Sequence, residues 1–126
     1  MNPLPLERRA AAAIAAITIL TGAAQMLAGG PLLALIATAP PDRTGAHLFA
    51  TVGMFMVLFG ASLLHAQSRR EALAVVLLWA ALQKLLAAVM VGWGVGRGVF
   101  VEPALLVAGF DLASGLLFLD LRRRGG

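Results

Sequence analysis

Between Arg9 and Asp42 the chain carries no ionisable side chain, and further long apolar runs follow, set off by charged, glycine-rich or proline-rich turns. Runs of this kind exceed the ~18 residues that take a helix across the hydrocarbon core of a bilayer. A water-soluble fold needs polar faces on its helices. Here 60% of the 126 residues are hydrophobic and 13% are charged, against about 25% charged in soluble domains. The reading is an all-α integral membrane protein with the lipid bilayer as its surroundings. A single transmembrane domain over 1–126 leaves no room for a second.

Turn signals divide the chain into four spans, at about 10–28, 47–66, 72–96 and 103–121. Gly29-Gly30-Pro31 ends the first, because proline cannot donate to the preceding turn. Pro31 can also open a short interfacial helix, Pro31 to Thr38, at its first position. Ala39-Pro40-Pro41-Asp42-Arg43 is a loop, and Gln67-Ser68-Arg69-Arg70-Glu71 a tight polar turn. Gly92, Gly94, Gly96 and Gly98 loosen the chain around Trp93 and Arg97. The first segment also has the basic start, apolar core and small residues (Gly22-Ala23-Ala24) of a cleavable signal. It is read here as a retained span.

The net charge is +4, but the placement of the arginines says more than their sum. Arg8, Arg9, Arg69, Arg70, Arg122, Arg123 and Arg124 fall on one side of the four spans, and only Arg43 and Arg97 on the other. The excess of basic residues in short cytoplasmic loops then puts both termini in the cytoplasm. The expected architecture is an antiparallel four-helix bundle in the inner (cytoplasmic) membrane.

Helices in lipid associate through close contact of small residues and a few hydrogen bonds, since burial of oily surface gives no advantage there. Small and polar residues at helical spacing should therefore mark the inward faces. They read Ala15, Thr18, Gly22, Gln25 in the first span and Ala46, Ala50, Gly53, Gly60 in the second. The third reads Ala80, Ala81, Lys84, Ala87, Ala88, and the fourth Ala104, Ala108, Asp111, Gly115.

Lys84 and Asp111 are the ionisable residues in the middle of such runs. A charge near the bilayer centre is costly and tends to be paired or functional. At ~1.5 Å per residue Lys84 lies about 20 Å, and Asp111 about 16 Å, from the cytoplasmic ends of their helices. An ion pair between them follows, either as a clasp that fixes helix register or as a polar anchor for a ligand. Gln25 and Gln83 lie at similar depth as secondary ligand contacts.

Several chemistries are excluded. The chain has no cysteine, so disulfides, thiolate metal sites and dithiol redox chemistry of its own are absent. No His, Asp and Glu cluster has metal-ligand spacing. His47 and His65 sit near opposite ends of one span and cannot share an iron; they are read as surface groups, with titration or contact with a head group, His47 on the outer side and His65 on the inner, as the second reading. Ser62, Ser68 and Ser114 lack a histidine and acid constellation, and the Gly92–Gly98 spacing does not fit a phosphate loop. No basic stripe carries interleaved aromatics, which argues against nucleic acid. The Arg122–Arg124 run is first a topology signal, with attraction to anionic lipid as a second role.

Four short-looped spans, with His47-Leu48-Phe49-Ala50-Thr51-Val52-Gly53-Met54 opening the second and Phe110-Asp111-Leu112-Ala113-Ser114-Gly115 in the fourth, resemble the DoxX-like group of small bacterial membrane proteins. The resemblance implies a compact four-helix membrane bundle, in some members a subunit beside a redox or quinone-linked enzyme.

The functional expectation is a non-catalytic accessory subunit, or a binder of an apolar ligand such as a lipid or quinone, with Lys84, Asp111, Gln25 and Gln83 as contacts. Its partners would be that ligand and a larger membrane complex or further copies of itself. The alternative is an oligomeric small transporter or channel with Asp111 as the proton- or cation-linked carboxylate and Lys84 as counter-charge. No cofactor can be named from the residues.

Overall fold

The computed structural model describes residues 3–125, with side chains from residue 5 onward. Five α-helices account for most of it: α1 (Pro3–Leu27), α2 (Gly29–Ile36), α3 (Arg43–Ala66), α4 (Arg70–Gly96) and α5 (Leu105–Gly125). Four of them, all but the short α2, are long and apolar enough to cross a membrane.

The apolar runs fall inside these helices, but the helix ends differ from the expected bounds for local reasons. The second span, α3, starts at Arg43 rather than near His47, because the Asp42 carboxylate accepts the Gly45 N–H at 2.7 Å and caps it. The short helix begins at Gly29 rather than at Pro31. Ala28 leaves helical geometry (φ −138°, ψ 45°), and Pro31 has no N–H to offer the Leu27 carbonyl. First-turn N–H groups lack intrahelical partners anyway, so proline is tolerated as the third residue of α2. The expected loosening at Gly92, Gly94 and Gly96 is absent: these glycines stay in α4, and Gly98 alone turns left-handed, with φ +75°. Pro103 lies in a single 3-10 turn, Glu102–Ala104, that leads into α5.

Helix α1 packs along α3 and α4 along α5, and the two pairs meet where α3 touches α4 and α1 touches α5. The pairing rests on close approach at small residues. Gly22 and Gly53 face each other so tightly that a Cβ on Gly53 would sit 2.5 Å from the Gly22 carbonyl oxygen. A Cβ on Gly60 would sit 2.7 Å from the Ala15 carbonyl oxygen. Gly22 thus meets Gly53, and Ala15 meets Gly60, so the contacts run in opposite order along the two helices. Gly115 plays the same part between α5 and α4, beneath Leu85 and the Ala81 carbonyl. Of the four small stripes read from the sequence, the first and fourth are buried along their length. The second is buried at Gly53 and Gly60, and the third at Ala80, Ala81 and Lys84.

The two ends of the molecule are built differently. Ala11, Ala15, Leu63, Ala66, Leu73, Leu77, Phe118 and Leu121 form a tight core where α1 and α4 begin and α3 and α5 end. The opposite end is closed by α2 and a short strap. There Val101 N–H donates to Ile36 O at 2.8 Å and Thr38 N–H to Val99 O at 3.0 Å. The Phe100 ring packs against Gly94, where a Cβ would leave it no room. Large apolar residues such as Leu20, Leu27, Leu35 and Leu106 point outward, as expected of helices whose solvent is lipid.

Candidate functional site

Lys84 projects from α4 across the centre of the helices. Its Nζ lies 3.3 Å from Asp111 Oδ1 on α5 and donates at 2.8 Å to Thr18 Oγ1 on α1. Helices α1 and α4 are diagonal, each packing mainly on α3 and α5, so this one side chain ties both helix pairs together. Lys84 is 4% exposed and Asp111 8%. The small neighbours Ala80 and Ala81 leave room for the lysine stem. The Thr18 hydroxyl passes its own proton to Ile14 O at 2.8 Å, which leaves its lone pairs free for the ammonium. The Phe110 ring completes the surroundings, its centroid 5.4 Å from Nζ. In an apolar interior such mutually satisfied contacts are strengthened, and an unpaired member would be costly.

The two glutamines part company. Gln83, half-buried, lines a void beside Lys84 together with Thr18, Phe59, Gly60 and Phe118; its volume is about 10 Å³. That is the scale of one water molecule. Gln25 belongs elsewhere: two turns along α1 from Thr18, its Nε2 donates to Phe49 O at 3.2 Å and clamps α1 to α3 beside the Gly22–Gly53 contact. The structure therefore gathers Lys84 and Asp111, sets Gln83 at their edge and holds Gln25 apart. Thr18 and Phe110 join the centre without having been singled out for it. Thr18 stood on the inward stripe, one signal that could have marked it.

A much larger space opens at the strap end. A cleft of about 820 Å³ lies between the α1–α2 elbow and the first two turns of α3. Met26, Gly29 and Gly30 form one side; Arg43, Thr44, Ala46, His47, Leu48 and Ala50 form the other. Gly29 is pressed onto the α3 backbone, where a Cβ would lie 2.8 Å from Ala46 O, whereas a Cβ on Gly30 would meet one neighbour, Ala46 Cβ, at 3.7 Å. The cleft was not anticipated, since Arg43 falls in a segment that reads as loop and so was not placed on one helix face with His47.

At the other end the arginines bind helix ends together. Arg123 and Arg124 each reach Asp120 at 2.9 Å, and Arg124 stands 3.9 Å from Glu7. Arg8 donates to Gln67 O at 3.2 Å and Arg122 to Ala74 O at 3.0 Å. Among the described residues no group of three or more His, Asp or Glu is placed to hold a metal ion. His47 and His65 stand near opposite ends of α3. Comparison with protein-family models, with curated proteins and with solved structures gives no match.

Proposed function

We propose that the chain is an antiparallel four-helix bundle of the inner membrane, both termini cytoplasmic, that binds an apolar ligand with a polar head, a lipid or a quinone. The observation that carries this reading is the contrast between the two spaces. Ligand pockets run to about 300–1,000 Å³; the cleft beside α3 has about 820 Å³ and lies wide open at the surface, as suits a ligand that stays partly in the bilayer, whereas the void beside Lys84 has about 10 Å³. The ligand is therefore assigned to the cleft, and Lys84, Asp111 and Thr18 to holding the helix pairs in register. The same kind of role is what the resemblance of the four short-looped spans to DoxX-like proteins implies.

The test is native mass spectrometry of the detergent-released protein. Wild type and the double variant Lys84→Met/Asp111→Leu should retain the same small apolar molecule. Gly30→Leu, which puts a bulky side chain into the cleft, should retain less of it. Loss in the double variant with retention in Gly30→Leu would move the ligand to the charged centre. An empty wild type would overturn the reading.

A further inference from the structure

We infer that the cleft beside α3 takes the phosphate group of a phospholipid, with Arg43 and His47 as its contacts; this rests on the ligand-binding reading above. Three observations converge on it. First, Arg43 and His47 are one helical turn apart on α3, both exposed and both lining the cleft. Residues at this spacing share a helix face. Second, Arg43 makes no hydrogen bond or ion pair among the described residues. The nearby carboxylate, Asp42, is turned onto the Gly45 N–H instead, at 2.7 Å. Arg8, Arg122, Arg123 and Arg124 are spent on carboxylates or carbonyls of the fold; Arg9, Arg69 and Arg70 are as free as Arg43, but of these four Arg43 alone lines the cleft.

Third, polarity changes along the cleft in the order found along a phospholipid. Arg43 and Thr44 stand at the start of α3, His47 one turn on, and Leu48 and Ala50 beyond, with Met26 opposite. Leu48 and Met26 are 59% and 49% exposed, which leaves an apolar lip for an acyl chain. From Arg43 to Ala50 the helix advances about 10 Å, enough to seat a head group and the start of its chains. A guanidinium pairs with a phosphate through two parallel N–H···O bonds. A quinone ring, uncharged, would leave that capacity unused.

The test uses the full-length protein, stripped of lipid in neutral detergent, in binding titrations with three probes. These are phosphatidylglycerol, diacylglycerol of the same acyl chains, and inorganic phosphate. Phosphatidylglycerol should bind at least about tenfold more tightly than diacylglycerol, the weight of one charge-assisted hydrogen bond. Arg43→Gln should remove that difference and leave diacylglycerol binding unchanged, and His47→Gln should reduce it. Arg43 is exposed, so its replacement leaves the fold intact. Gly30→Leu, checked for helicity by circular dichroism, should weaken binding of both lipids alike. Equal binding of the two lipids, or no effect of Arg43→Gln, would overturn the phosphate assignment while leaving a cleft for apolar ligands. Inorganic phosphate binding as tightly as phosphatidylglycerol would overturn the lipid as its source. No binding of either lipid to wild type would overturn the ligand-binding reading as well.

Discussion

At the scale of single residues the question is why a lysine sits where alanine would cost nothing. Lys84 is matched by two acceptors on two other helices, Thr18 and Asp111, so its removal strands Asp111. Breaking one side of a buried pair costs about 3–5 kcal/mol, whereas replacing both by apolar residues of similar volume is often neutral. Lys84→Met and Asp111→Leu should each lower stability in detergent unfolding by that amount, and the double variant should recover to within about 1 kcal/mol of wild type. Thr18→Val, which takes one acceptor from a buried ammonium, should cost about 1.5–3 kcal/mol. A double variant as unstable as the sum of the singles would mean that the two charges act independently and the clasp is wrong. The pair itself was legible in the sequence because each charge stands alone in an apolar run. Thr18 was legible only as a member of the inward stripe: a helical threonine ordinarily bonds its own preceding turn, as Thr18 does to Ile14, and the stripe does not say which distant helix supplies its partner.

At the scale of elements the glycines divide by what surrounds them. Gly53 and Gly60 lie where α1 and α3 touch backbone to backbone, and a methyl at Gly60 would press on both Ala15 O and Ile19, each 2.7 Å away. Gly92 and Gly109 have nothing within 4 Å of an added Cβ. Alanine is favoured over glycine in a helix by about 0.8–1.0 kcal/mol. Gly92→Ala and Gly109→Ala should therefore raise the melting temperature slightly, and Gly53→Ala and Gly60→Ala should lower it. Thermal unfolding followed by helicity separates the two groups, and a neutral Gly60→Ala would show that the α1–α3 seam is looser than described. Inward faces could be read from the sequence because small residues recur at helical spacing and lipid leaves them no other reason to do so. The helix ends could not, because they depend on local events: the Asp42 cap, the departure at Ala28, the turn at Gly98. The cleft escaped for a related cause. It exists only because α3 starts early enough to carry Arg43 and His47 on one face, opposite the elbow that Ala28 makes.

At the scale of the whole molecule the two ends ask to be placed on opposite sides of a membrane. One end is sealed by a tight core and by arginines tied to Asp120, Glu7 and backbone carbonyls. The other carries the strap, the cleft and Arg97, whose guanidinium lies 5.1 Å from the Trp93 ring. The proposed orientation, drawn from the bias of arginine toward cytoplasmic loops, puts the sealed end in the cytoplasm. On the proposed orientation the cleft opens at the outer leaflet and takes its phospholipid from there. Because the chain has no cysteine, single cysteines report this directly. Ala39→Cys lies in the exposed loop between α2 and α3, and Ser68→Cys in the exposed turn between α3 and α4. A membrane-impermeant maleimide added to intact spheroplasts should label Ala39→Cys at once and Ser68→Cys only after lysis. The reverse pattern would invert the protein and turn the cleft toward the inner leaflet. Labelling of both sites from one side would remove the bundle's spanning arrangement, since α3, which separates them, would then not cross.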